Sequence, residues 1–295
     1  MLWGRESSNN FTGLKETRKN EFLTLPDTIA LCSSLEKSIS YAEFIIISIS
    51  AQQLRSFAKH LNSIIETQNK TFILCMKGLE ASSGKRLSQV FSEEVGRNVN
   101  VAVWLGPGHV QEYVNNIPNC MVIGSKNVEI TKKIVKELNS DLIRFYYGQD
   151  LIGNEMGAAT KNVIGIAAGM LDGLNYSSLK GSLMARGTRE ISRLVSVMGG
   201  SDLTIYGLSH LGDYEATLFS MHSKNRKFGQ AYVEGERFGK LAEGVSTVKA
   251  LKELSRQYEV DLPICNALYE ILFENKDAKE TLENLLLRPV KFEFQ

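Results

Sequence analysis

Lys161 sits in the setting that most needs a chemical explanation. It is an isolated cation between Gly157-Ala158-Ala159-Thr160 and Val163-Ile164-Gly165-Ile166. An ammonium among small and apolar residues is costly unless it is paired or opens onto a pocket. Burial and a neighbouring cation would both lower its pKa, the tuning that proton transfer near neutrality requires. Asn162 beside it can orient a substrate or cap a backbone group. The plainer alternative is a helix-face lysine that carries its head to water along an apolar stem.

Three other groups have similar interest. Lys77 ends the run Phe72 to Met76 and is followed by Gly78; groups just beyond strand ends in an open α/β sheet face the ligand crevice. A surface lysine at a strand end is the alternative. Asp213 and Thr217 lie four positions apart, on one face if the segment is helical. Asp213 could then hold a lysine while Thr217 bonds a substrate oxygen. Ser223-Lys224-Asn225-Arg226-Lys227 combines three cations with short hydrogen-bonding side chains, a phosphate grip in chemical terms and equally a polar interhelix loop. Gly106-Pro107-Gly108-His109 follows an apolar run, where it could bring backbone close to a cofactor or form a plain turn. His210 stands three residues before Asp213, so it is either that carboxylate's partner or a structural histidine. The four histidines show no zinc spacing, and Cys32, Cys75, Cys120 and Cys265 form no CxxC pair. No metal site and no disulfide framework is expected, and the thiols read as reduced and buried.

The elements that must position these groups show two rhythms. Phe44 to Ser50, Phe72 to Met76, Val101 to Leu105 and Cys120 to Ile123 are short apolar runs, with a further strand expected over Leu142 to Tyr147. Continuous apolar runs suit parallel strands covered on both faces. Helices are expected between them at Ala51 to Ile65, Gly84 to Glu94 and Val128 to Leu138. That alternation predicts a doubly wound α/β sheet. From Asn154 the pattern turns helical: a buried Gly/Ala-rich helix over Asn154 to Leu171, then Leu179 to Met198, Gly239 to Tyr258, Pro263 to Phe273 and Ala278 to Leu287. Residues 1–152 are therefore expected to form the α/β domain and 153–295 a helical one, with Pro289 to Gln295 a surface tail. The usual glycine turn that seats a pyrophosphate, GxGxxG, does not occur. Met1-Leu2-Trp3-Gly4-Arg5 reads instead as the end of a second strand, with Arg5 either facing a ribose or solvated.

Composition narrows the class. The 295 residues are 43% hydrophobic and 23% charged, and 34 Lys plus Arg nearly balance 33 Asp plus Glu, for a net charge of +1. That balance gives no support to a nucleic-acid-coating surface. No apolar stretch is long enough for a membrane span, and the start has no secretory pattern; a cytoplasmic location is the expectation.

In order and spacing these fragments resemble the NAD(P)-dependent glycerol-3-phosphate dehydrogenases, the bacterial type especially, from Leu2 to about Leu287. The resemblance is carried by the LWGR strand end, Lys77-Gly78-Leu79-Glu80, Gly106-Pro107, Gly153-Asn154-Glu155, Lys161-Asn162-Val163-Ile164, Ala185-Arg186-Gly187, His210-Leu211-Gly212-Asp213, Asn225-Arg226 and Glu243-Gly244. It implies a Rossmann-like domain, incomplete because its first strand and glycine turn are absent, joined to an all-α domain. It further implies reversible oxidation of sn-glycerol 3-phosphate to dihydroxyacetone phosphate with NADH or NADPH, feeding glycerophospholipid synthesis, in a homodimer. By the same resemblance Lys161 is the proton acceptor and Lys77 the second lysine near substrate and nicotinamide. Asp213 and Thr217 are the substrate-site acid and hydroxyl. Gly106, Ser223, Lys224 and Asn225 line the substrate; Arg5, His109, Lys224 and Glu243 face the cofactor.

The chain departs from that pattern where Lys224 stands for the usual arginine and Leu105 and His109 for the usual Ser and Phe. Two other readings stay open: a structural or regulatory relative without redox chemistry, and a hydroxyacid or 6-phosphogluconate-type dehydrogenase of shared architecture.

Overall fold

β-Branched and aromatic runs build the first part of the chain, and a computed structural model describes residues 1–64, 70–96, 99–290 and 292–293. The chain divides into two compact units. The first comprises Met1–Met76, Ser88–Trp104 and Gly108–Gln149; the second comprises Lys77–Leu87, Leu105–Pro107 and Asp150–Gln295.

In the first unit, β1 (Leu2–Trp3) and β2 (Leu31–Cys32) pair in parallel, with Leu2 opposite Leu31. Five further strands form one sheet in the order β3 (Phe44–Ile47), β4 (Thr71–Leu74), β5 (Asn100–Leu105), β6 (Asn119–Ser125) and β7 (Ile143–Gly148). Phe44 registers with Thr71, Thr71 with Asn100, and Asn119 with Ile143, each pairing parallel. Strand β4 is buried throughout, its Phe72 and Ile73 having no exposed surface, as expected for a strand covered on both faces. Ile73, Ala102, Ile123, Ile134 and Phe145 share one core. All five strands of that sheet fall on the expected runs, with ends shifted by a few residues.

The helices of this unit are α1 (Asn9–Thr17), α2 (Leu35–Tyr41), α3 (Leu54–Ile64), α4 (Leu87–Val95), α5 (Val110–Val114) and α6 (Val128–Leu138). Helix α6 has the expected bounds, with the Asn127 side chain accepting the Glu129 N–H at 3.0 Å. Helix α4 starts three residues after the expected Gly84, which instead makes a turn at φ 69°. Ile65, the expected end of α3, lies outside the described residues. Helices α1, α2 and α5 were not expected; all three are short, and α1 and α2 have serine caps, Ser8 and Ser34, that could have marked them.

The second unit is organised around α7 (Leu151–Gly173), whose residues from Gly153 to Leu171 are buried. Its start is fixed by Asp150, whose carboxylate accepts N–H groups from Gly153 at 2.9 Å and Ser201 at 2.8 Å. Around it lie α8 (Lys180–Val197), α9 (Lys224–Glu234), α10 (Glu243–Gln257), α11 (Pro263–Phe273) and α12 (Ala278–Leu286). Helices α7 and α9 meet backbone to backbone: a Cβ at Gly169 would overlap the Arg226 carbonyl, and one at Gly229 the Ile166 carbonyl. The glycines that weaken α7 by propensity therefore permit a contact that no other residue allows. Helix α9 replaces the polar loop that was one of the two readings of Ser223 to Lys227. Ser223 is its cap, accepting the Arg226 N–H at 3.3 Å, and Gly235 ends it in the left-handed region at φ 74°. Among the described residues no helix is long and apolar enough to cross a membrane. Cys265 is buried, whereas Cys32, Cys75 and Cys120 are half-buried and unbridged.

Candidate active site

Within the second unit, α7 carries Lys161 and the segment Lys77–Leu87 is bound against that helix. Three ties hold it. The Asn162 side-chain amide donates to the Lys77 carbonyl at 3.0 Å, Arg86 pairs with Glu155 at 2.6 Å with both side chains buried, and Leu79 sits fully buried in the helical core. Sequence separation hides all three.

These ties bring Lys77 and Lys161 to one carboxylate. Asp213 Oδ2 lies 2.8 Å from Lys77 Nζ and 2.8 Å from Lys161 Nζ, and Asp213 is 1% exposed. Lys77 Nζ also donates to the Gly106 carbonyl at 2.7 Å, and Lys161 Nζ to Thr217 Oγ1 at 2.6 Å. Thr217 in turn donates to the Asp213 carbonyl at 2.7 Å. Each ammonium thus commits two of its three N–H groups inside the cluster, leaving a third for a ligand oxygen. Lys161 is buried while the Lys77 side chain keeps 24% of its surface, so the cluster reaches solvent on the Lys77 side.

Burial, reinforced by the charge of Lys77 and opposed by Asp213, lowers the Lys161 pKa to about 8. Proton exchange near neutrality is then open to it. The solvated helix-face alternative for Lys161 is excluded.

Asp213 and Thr217 do share a face, through different backbone than expected. A 3-10 turn at Leu211–Asp213 precedes a π-turn at Glu215–Phe219, an irregularity frequent at functional sites. Close approach of Thr217 to α7 requires Gly165, where a Cβ would lie 2.8 Å from the Thr217 methyl.

His210 is not the partner of Asp213. Its Nδ1 donates to the Gly157 carbonyl at 2.8 Å and its Nε2 accepts from the Tyr214 hydroxyl at 2.6 Å, with no exposed surface. Those roles require one N–H per ring, a neutral imidazole, and burial lowers its pKa to about 4. The His210–Tyr214 bond spans the turn that presents Asp213. The spacing of four positions between His210 and Tyr214 is the sequence signal for that bond, where the nearer acid is not the partner.

The remaining expected residues fall in both units. Asn225 is buried near the start of α9, its carbonyl oxygen accepting the Gly244 N–H at 3.0 Å, which leaves its amide N–H groups for a ligand. Ser223 caps α9 and Lys224 is exposed in its first turn. Glu243 opens α10, where a carboxylate suits the helix dipole. In the first unit Arg5 is exposed, with Nη2 at 3.4 Å from Gln53 Oε1, and His109 caps α5 in a capping box with Glu112. Among the described residues no group of three or more His, Cys, Asp or Glu side chains could hold a metal ion.

Two family profiles match this chain: the N-terminus of NAD-dependent glycerol-3-phosphate dehydrogenase over residues 1–131, and the C-terminus of the same family over residues 150–283. A glycerol-3-phosphate dehydrogenase [NAD(P)+] of Clostridium botulinum (strain Alaska E43 / Type E3) is 39% identical over 279 residues, covering 92% of this chain and 84% of that protein. One from Fusobacterium nucleatum is 35% identical over 295 residues, covering 96% and 88%. The crystal structure of glycerol-3-phosphate dehydrogenase from Coxiella burnetii superposes with a TM-score of 0.89 at 28% identity, covering 97% of this chain and 91% of that one. With a Rossmann-like N-terminal domain and a helical C-terminal one, the chain belongs to the NAD-dependent glycerol-3-phosphate dehydrogenase family.

Proposed function

We propose that this protein interconverts sn-glycerol 3-phosphate and dihydroxyacetone phosphate with NADH or NADPH. The observation that carries the reading is Asp213 bridging the ammoniums of Lys77 and Lys161, one buried and one at the solvent edge. The donor set fits a reduced or oxidised nicotinamide as partner, because it handles a proton and an oxyanion and leaves hydride transfer to the cofactor. Bound nicotinamide supplies the acceptor or donor of that hydride. The chain's own residues do the rest.

In the oxidative direction neutral Lys161 takes the C2 hydroxyl proton at Nζ, becoming the ammonium, while the Lys77 ammonium stabilises the charge developing on that oxygen. Asp213 holds both nitrogens in place, and Thr217 fixes the rotamer of Lys161. In the reductive direction the Lys161 ammonium returns the proton. The buried Asn225 amide, with Ser223 and Lys224 beside it, receives the phosphate end; Lys224 offers charge without the planar fork of an arginine. Gly106 borders the substrate through the carbonyl that holds Lys77. Arg5, His109 and Glu243 serve the cofactor. An arginine at position 5 accommodates a 2′-phosphate, so NADPH is usable beside NADH. The reading extends to a homodimer in the cytoplasm whose product feeds glycerophospholipid synthesis.

The test is oxidation of NADH and NADPH by the purified 295-residue chain in the presence of dihydroxyacetone phosphate. Turnover is expected with that substrate and not with hydroxyacids or 6-phosphogluconate. Lys161→Met is expected to lower kcat by ~10²-fold or more while reduced-cofactor affinity stays near normal. No turnover together with no cofactor binding would leave a structural role instead.

A further inference from the structure

Beyond the lysine cluster, the second unit holds a cavity of about 540 Å³ that shares none of the cluster's residues. Helix α7 contributes Ala167 and Leu171 to its wall, about 9 and 15 Å along the helix from Lys161. Leu183 of α8 and Leu282 and Leu285 of α12 make its apolar surface. Such a volume and lining are those of small-molecule sites.

The polar part of the wall is cationic. Arg186, Arg193 and Arg288 line the cavity with only two carboxylates, Glu190 and Asp261. Both carboxylates are engaged. Asp261 accepts from Arg288 at 2.7 Å, and Glu190, 1% exposed, accepts the N–H groups of Ile264 at 2.9 Å and Cys265 at 3.0 Å at the start of α11. Arg186 and Arg193 donate to main-chain carbonyls, of Glu293 at 3.2 Å and Asp261 at 3.1 Å. A guanidinium bonded to a neutral carbonyl retains its charge and further donors of its fork.

We infer that this cavity binds a single-chain amphiphilic anion, its alkyl chain against the leucines and its carboxylate on Arg193 and Arg186. A neutral amphiphile would fill the apolar part and leave the charge of Arg186 and Arg193 to water and main-chain carbonyls. A small inorganic anion would leave the apolar wall wet. The inference does not depend on the assigned reaction, because binding is measured without turnover.

The experiment is calorimetric titration of the purified chain with decanoate below its micellar range, and with decanol as the uncharged control. Saturable binding at one site per chain is expected, with decanol at least ~10-fold weaker, as loss of a charge-assisted pair predicts. Two variants outside the lysine cluster test the location: Arg193→Gln removes a charge, and Ser182→Trp, at an exposed lining position, fills the entrance. Each should weaken decanoate by ~10-fold or more while the thermal midpoint stays within a few degrees of the parent. Decanol binding as tightly as decanoate, or binding unchanged in both variants, would overturn the inference. So would sedimentation showing that decanoate binds only when a dimer dissociates, since a second copy would then be the natural occupant.

Discussion

Lys161 and His210 are both buried bases held below their ordinary pKa, and each links pH to stability in a defined window. For Lys161, moved from 10.5 to about 8 mainly by burial, folded and unfolded chains are both charged below pH 8, and the folded state bears the full cost. Between pH 8 and 10.5 the folded state sheds its proton first, so stability rises with pH by up to about 3 kcal/mol, and above 10.5 the cost is gone. The midpoint of the wild-type protein should therefore gain on that of Lys161→Met as pH rises from 8 to 10.5; parallel melting curves across that range would show that the lysine is not desolvated. For His210, moved from 6.5 to about 4, no cost exists above pH 6.5. As pH falls towards 4 the unfolded chain binds a proton that the folded one refuses, and stability is lost. His210→Gln should flatten that acid limb in thermal melts between pH 6.5 and 4, and an unchanged limb would assign it to carboxylates elsewhere. Lys161 was legible in the sequence because a lone cation among glycines and alanines is conspicuous. Asp213 as the point where two lysines meet was not, since its bond to Lys77 spans 136 positions and no local spacing encodes it.

At the scale of elements, periodicity was a good guide wherever a segment was long and apolar. All five strands of the main sheet and helices α6, α7 and α11 lie where their hydrophobic pattern puts them. It failed where polar composition disguised a helix. Helix α9 opens with Ser223-Lys224-Asn225-Arg226-Lys227, which reads as a loop, yet the Ser223 cap and the Gly235 stop were both present in the sequence. What fixes α9 is its backbone contact with α7, and that is also what places Asn225. Gly229→Ala should cost about 3 kcal/mol or more, because a methyl group there meets a carbonyl of a neighbouring helix rather than a yielding side chain. Urea unfolding measures it. Gly165→Ala pushes instead on the Thr217 methyl, so it should lower kcat well beyond any loss in stability. If both glycines lose only stability, the packing of α7 does not set the geometry of the lysine cluster.

On the scale of the whole molecule, the division of the chain into units does not follow a single cut. Lys77–Leu87 and Leu105–Pro107 belong with Asp150–Gln295, a grouping that sequence patterns cannot show because short segments carry no periodicity of their own. The buried Arg86–Glu155 pair at 2.6 Å secures the first of them. Arg86→Ala should destabilise the second unit by about 3–5 kcal/mol, as removal of one partner of a buried ion pair does, and Arg86→Ala combined with Glu155→Leu should recover most of that loss in a denaturant titration. This threading also limits how the gene can be recombined. A crossover between two related sequences at residue 150 would look like a clean exchange of halves, yet it would take Lys77 and Arg86 from one parent and Asp213 and Glu155 from the other. Chimeras that carry the Lys77–Leu87 stretch along with the C-terminal parent should outperform those joined at the apparent seam, so the inheritable module is a discontinuous set of residues.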